Sequence, residues 1–132
     1  MRRRGTSPKP GHAVLVADDD ARVRSGLREI IEYSAGAIVV GEAASARSAL
    51  LLDLARRPDV VVLDLLLPRA EDGLGVLREL SARGRPVVAI SVWGFLRTEA
   101  LASGASAFLE KDSQMVDQLV PAICTAAADT TP

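Results

Sequence analysis

A small set of side chains in this sequence has the types and spacing to move a phosphoryl group. Asp18, Asp19 and Asp20 follow the apolar run 13–17, and Asp64 closes the run 60–63. Ser91 closes 87–90, and Lys111 follows 107–110. Short runs this rich in β-branched and aliphatic residues read as strands buried on both faces, as in a parallel sheet. In open α/β sheets ligands bind just beyond the carboxyl ends of the strands. Singly, Ser91 is an ordinary strand-end hydroxyl and Lys111 an ordinary solvated amine. Their coincidence at successive strand ends places carboxylates, a hydroxyl and an ammonium at one rim.

The chemistry of that rim follows from charge. Clustered carboxylates raise one another's pKa unless a cation lies among them. Mg²⁺ prefers oxygen ligands and keeps positions for water and phosphate oxygens. Asp64 can then act as a nucleophile toward phosphorus and become an aspartyl phosphate, in a reaction that is mostly positioning and charge neutralisation. Lys111 would pair with one phosphoryl oxygen and Ser91 would hydrogen-bond another. Phe108, on the neighbouring strand, would fill the space Ser91 leaves, so that a local charge event is read as a change in packing. Capping of the following helix accounts for one aspartate, most simply Asp20, but not for three.

The elements that must position these residues are legible as alternating strands and helices. After strand 13–17, helical spacing at Val23, Leu27, Ile30 and Ile31 leaves Arg22, Arg24, Arg28 and Glu29 on the other side. Ser34, Ala35 and Gly36 break that helix, and 38–43 reads as a second strand. Ala46, Ala49, Leu50 and Leu54 space as a helix ended by Arg57-Pro58. Beyond the Asp64 strand, Asp72-Gly73 reads as a turn, with Leu74, Leu77 and Leu80 recurring on the next helix and Gly84-Arg85-Pro86 closing it. Strand 87–91 leads through a loop at 92–95 to a short helix at 96–102, with Gly104 at its end. After strand 107–110, Ser113 would cap a last helix with Val116, Leu119, Val120 and Ile123 inward. Pro121 would cost about 3 kcal/mol inside that helix, so a kink or a late start is expected there. Five such alternations argue for a doubly wound α/β domain.

The bulk properties agree. The chain has 132 residues, 48% of them hydrophobic and 25% charged, with a net charge of −1. That suffices for one core, and no global charge favours nucleic acid or anionic lipid. The single cysteine, Cys124, cannot form an internal disulfide, and no apolar run reaches the ~18 residues of a membrane span. A cytoplasmic protein is expected, with a basic disordered tail at 1–12, a domain at 13–127 and a frayed end at 128–132.

Together, the acids after the first strand, the Asp-X-X-X-Pro element from Asp64 to Pro68, the hydroxyl after strand four and the lysine after strand five make the chain resemble a receiver domain of bacterial two-component response regulators. The resemblance covers roughly residues 13–127. It implies the flavodoxin-like five-stranded parallel sheet with strand order 2-1-3-4-5. It implies Asp64 as phosphoacceptor, supplied by a sensor histidine kinase, and Mg²⁺ or Mn²⁺ bound by Asp19, Asp64 and the carbonyl of Leu66, with Asp18 acting largely through water. The distance to Val23-Arg24 selects Asp18 and Asp19 over Asp20 as the acid pair. Ser91 stands at the switch hydroxyl, Phe108 at the switch aromatic and Lys111 at the family's lysine. Lys111-Asp112 and Gly104-Ala105-Ser106 are similar to receivers of NarL/FixJ-type regulators. The helix-turn-helix domain of those regulators has no counterpart among these residues, so no direct contact with nucleic acid is expected, and the chain is either a receiver that stands alone or part of a longer one. Output would pass to a partner protein, to a linked effector domain or through a homodimer. Transcription regulation would follow only from an effector domain. The chain is not expected to be an enzyme beyond its own phosphorylation and slow dephosphorylation.

Departures from the family pattern set further expectations. Val92 replaces a small residue beside the switch hydroxyl and Leu66 is apolar, which would slow hydrolysis of the phosphoryl group. The segment from Ser91 to Gly104 is about two residues short, which puts the fourth helix in doubt and leaves Trp93 either packed in place of the missing turn or exposed to a partner. A receiver-like binding module that no longer needs phosphate is the competing reading. A dehalogenase-type phosphatase would want an acid where Leu66 stands. A flavodoxin would want more than 3% aromatic residues and a phosphate-cradling loop.

Overall fold

Runs of apolar residues, β-branched above all in 60–64 and 87–91, alternate with amphipathic helices in a computed structural model that describes residues 12–33 and 37–128. The order is β1 (His12–Ala17), α1 (Ala21–Tyr33), β2 (Ala37–Ala43), α2 (Ala46–Arg56), β3 (Val60–Asp64), α3 (Ala70–Ala82), β4 (Val87–Ser91), a 3-10 turn (Gly94–Leu96), α4 (Arg97–Ala102), β5 (Ala107–Glu110) and α5 (Met115–Ala128). The strands form one parallel sheet in the order β2-β1-β3-β4-β5. The break at Ser34 to Gly36, the tail at 1–11 and the end at 129–132 lie outside the described residues.

Because strand side chains alternate, each central strand feeds two cores. Leu15, Val61, Leu63 and Ala89 pack on one face with Leu74, Leu77 and Leu80 of α3. Val14, Val16, Val60, Val62, Val88 and Ile90 pack on the other with Leu27 and Ile31 of α1 and Leu119 and Ile123 of α5. Strands buried on both faces explain the near-continuous apolar runs. From the centre of the sheet the chain runs outward in both directions, so the ends of β1 and β3 flank a crevice at the switch point.

Several local expectations are corrected. Asp72-Gly73 is not a turn: both lie in the first turn of α3, capped at Arg69. Glycine is required there by packing, since a Cβ on Gly73 would lie 1.9 Å from the Leu65 carbonyl oxygen. Gly73→Ala is therefore expected to destabilise the domain by about 3 kcal/mol through overpacking, measured as a lowered urea midpoint. An unchanged midpoint would mean that α3 slides at no cost.

Val116, read as inward, is 52% exposed, and Leu54, spaced with the apolar residues of its helix, is 62% exposed. Each marks the edge of a helical stripe, where periodicity is a poor guide to burial. Ser113 does not cap α5. The Asp112 carboxylate accepts the Gln114 N–H at 2.9 Å, and the helix begins at Met115. The helix then continues through Pro121 and does not start there. The shortened segment after Ser91 still forms α4, reduced to six residues, and Gly104 follows it with φ of 108°.

Away from the crevice, Asp53 on α2 is fully buried. It binds Arg83 at 3.0 Å and Arg85 at 2.6 Å, tying α2 to the segment before β4.

Candidate functional site

β1 ends at Ala17, so Asp18 leaves the sheet beside the crevice. Its N–H donates to the Ala43 carbonyl at 3.0 Å, and its Oδ1 accepts the Asp20 N–H at 2.9 Å. The turn is completed by Asp20, whose Oδ1 accepts the Arg22 N–H and whose carbonyl accepts the Arg24 N–H, which is the cap anticipated for it. That backbone bond from Arg22 holds the Asp20 carboxyl below its ordinary pKa. Asp19, between them, is exposed.

β3 ends in Asp64, only 4% exposed. Its Oδ1 accepts the Leu66 N–H at 3.0 Å. Burial pushes the Asp64 carboxyl up from 3.8 to about 6; the Leu66 N–H and the Lys111 ammonium pull it down and the Asp18 charge pushes it up. Lys111 reaches in from the end of β5, its Nζ 3.0 Å from Asp18 Oδ2 and 3.1 Å from Asp64 Oδ2. Burial works against that ammonium, but the hydrogen bond to Asp18 and the charges of Asp64 and Asp18 outweigh it and raise its pKa. The Lys111 N–H also donates to the Ser91 carbonyl at 2.9 Å, which fixes the end of β5 against that of β4.

One ligand atom each from Asp18, Asp19 and Asp64 lies within 4.8 Å of the others. Three carboxylates on a partly open rim are a hard-oxygen donor set suited to Mg²⁺ or Mn²⁺. Two of them are buried and already share a cation, Lys111, so the site is built for positive charge.

Ser91 and Phe108 stand behind this cluster. Ser91 is fully buried, and its Oγ accepts the Trp93 N–H at 3.0 Å. Phe108 pairs with Ala89 across the sheet and is 3% exposed, inside the core that contains Leu63. The aromatic is thus inward while the Ser91 hydroxyl is engaged with the loop. Arg97 caps its ring, with the guanidinium carbon 5.0 Å from the ring centroid and Nη1 3.3 Å from the Phe108 carbonyl oxygen. Val92, Trp93 and Phe95 are exposed, and the two rings stack at 5.4 Å. Trp93 therefore faces solvent in part and does not replace a missing turn inside the core.

The tertiary structure joins Asp18, Asp19, Asp64 and Lys111 in one constellation and sets Ser91 next to it. Two participants were not found from the sequence. Arg97 meets Phe108 only because α4 packs on β5. Arg24 was assigned to the far side of α1, yet its Nη1 donates to the Asp18 carbonyl at 2.7 Å. Its place one helical turn after Asp20 was the available signal.

A doubly wound sheet with a lysine-bridged acid cluster at its switch point defines a metal-dependent phosphoacceptor domain. The family model of the response regulator receiver domain matches residues 14–123. The chain is 39% identical over 131 residues to a protein-glutamate methylesterase/protein-glutamine glutaminase of Symbiobacterium thermophilum, covering 89% of this chain and 36% of that protein. It is 35% identical over 113 residues to the transcriptional regulatory protein PdtaR of Mycobacterium tuberculosis, covering 83% and 54%. Among solved structures it superposes with a TM-score of 0.83 and 31% identity on a LuxR-family two-component response regulator from Aurantimonas sp., covering 90% and 86%. The chain belongs to the response regulator receiver family, and Asp18, Asp19 and Asp64 form the acid cluster of that family's phosphorylation and metal site. It spans about a third to a half of the length of these curated relatives. Among the described residues no helix is long and apolar enough to cross a membrane.

Proposed function

We propose that this chain receives a phosphoryl group on Asp64 from a sensor histidine kinase in the cytoplasm and passes the change to a protein partner, a linked effector domain or a second copy. The observation that carries this reading is the Lys111 ammonium held between Asp18 and Asp64. A carboxylate oxygen of Asp64 attacks phosphorus, the N–P bond of the phosphohistidine breaks, and its electron pair stays on the imidazole. Asp18, Asp19, Asp64 and the Leu66 carbonyl would hold a divalent ion, which would supply charge neutralisation between the carboxylate and the incoming anion. Lys111 donates to one phosphoryl oxygen, and the Ser91 hydroxyl, whose oxygen accepts the Trp93 N–H, donates its O–H to another. Mass spectrometry after acetyl phosphate with Mg²⁺, on the wild type and on Asp64→Asn, tests the assignment.

Two residues tune the lifetime of the product. Leu66 offers no group to position an attacking water, and Val92, exposed next to Ser91, would narrow the approach. Leu66→Asn with Val92→Ala is expected to shorten the phosphoryl half-life about tenfold, equivalent to ~1.4 kcal/mol of barrier. Equal decay in the two proteins, followed by loss of the mass increment, would remove that role.

The buried Phe108 under Arg97 favours a second reading, a binding module whose surface is set without phosphate. Absence of any mass gain on Asp64 would select it.

A further inference from the structure

Arg24 stands outside the acid cluster, yet it grips the backbone that aims it. We infer that Arg24 is a positioning residue for the metal-binding acids, held in place by Glu42; the inference rests on the phosphoacceptor reading of Asp64. Arg24 Nη1 donates to the Asp18 carbonyl at 2.7 Å, and its Nε lies 3.3 Å from Glu42 Oε1. One planar guanidinium thus joins α1 and the end of β2 to the peptide that links Asp18 to Asp19. The side chain is only 16% exposed.

The remaining bonds of Asp18 show why that grip matters. Its N–H, Oδ1 and Oδ2 are committed to Ala43, Asp20 and Lys111. The carbonyl is therefore the handle that sets the orientation of the next peptide, and with it the direction of the exposed Asp19 carboxylate. Glu42 anchors the handle from the other side. Its second oxygen takes Arg28 at 2.7 Å, and Arg28 continues to Glu32 at 3.2 Å, whose carboxylate accepts the Val39 N–H at 3.1 Å. Within this chain of contacts only Arg24 reaches the backbone of the acid pair. Loss of a partner that orients metal ligands costs metal affinity rather than only stability.

Charge makes the inference separable from a plain electrostatic effect. Arg24 is a cation near a cation site, so deleting its charge alone would tighten metal binding. Lysine keeps the charge but offers one ammonium where the guanidinium offers a fork to two partners.

The test is Mn²⁺ titration, with free ion followed by electron paramagnetic resonance, on the wild type, Arg24→Lys, Arg24→Met and Arg28→Met, beside thermal unfolding and acetyl phosphate labelling. Arg24→Lys and Arg24→Met are expected to weaken Mn²⁺ binding about tenfold. Arg28→Met, which leaves the carbonyl contact in place, is expected to stay within about twofold of wild type, whatever the melting temperatures. If Arg24→Met is unfolded, Arg24→Lys alone decides. Wild-type affinity in Arg24→Lys, or an equal loss in Arg28→Met, would overturn the inference while labelling of Asp64 in the wild type left the phosphoacceptor reading standing. A wild type that neither binds Mn²⁺ nor takes label would overturn both.

Discussion

Asp64→Asn is expected to abolish phosphoryl uptake and, in the absence of metal, to make the domain more stable above pH 6. An amide has no anionic oxygen to offer phosphorus, so the mass increment seen with acetyl phosphate and Mg²⁺ should vanish. Persistence of the increment would move the acceptor to another residue.

The stability effect has a sign that follows from burial. In the folded wild type the Asp64 carboxyl is pushed up to about 6, against an ordinary 3.8. Between about pH 4 and pH 6 the folded state therefore holds a proton that the unfolded chain has released. Stability from this group is fully present below the lower value and is lost as the pH rises through the higher one. Two pKa units at ~1.36 kcal/mol each set the scale, about 3 kcal/mol. Urea unfolding without divalent ions should show this decline in the wild type and a flatter profile in Asp64→Asn. Parallel profiles would mean that Asp64 titrates alike in the folded and unfolded chain. Site function and stability thus oppose each other at this position, as expected where a buried charge is kept for chemistry.

Lys111→Met should be the most damaging change at the site that leaves the nucleophile intact. It leaves Asp18 and Asp64, both nearly inaccessible to water, facing each other with no cation between them. Breaking a buried ion pair by removing one partner costs about 3–5 kcal/mol. The loss should be largest near pH 8, shrink on acidification as the Asp64 carboxyl takes up a proton, and be partly restored by Mg²⁺, which would supply the missing positive charge. Phosphorylation should slow about 100-fold or more, the typical cost of removing one electrostatic partner of a transferring group. In the wild type the lysine has a pKa raised above 10.5, so its stabilising contribution is fully present below that value and is lost only as the pH rises beyond it. A Lys111→Met protein with wild-type stability at pH 8 and wild-type labelling would mean that the bridge seen here has no energetic weight.

Much of this architecture is written locally. Runs such as Val60–Asp64 and Val87–Ser91 declare buried strands by composition, and the intervening helical stripes leave few topologies open. The acids, Ser91 and Lys111 are legible because strand ends are legible, and a doubly wound sheet brings strand ends to one rim. The failures are of another kind. Asp72-Gly73 has the composition of a turn, but glycine is used there for the close approach of α3 to Leu65. Leu54 and Val116 fit a helical stripe that the neighbouring elements do not reach to cover. Ser113 looked like a cap, yet the residue before it supplied the carboxylate.

Sequence by itself determined the class of fold and the strand ends at which Asp64, Ser91 and Lys111 stand, because strand periodicity and residue type act over a few neighbours. Tertiary structure alone decided that Phe108 is already inward beneath Arg97, that Arg24 turns back to the Asp18 carbonyl, and that one ammonium bridges two acids from different strands. Those contacts join residues many positions apart, and their geometry depends on how helices pack on the sheet. No local pattern encodes a hydrogen-bond partner whose position is set by a different element.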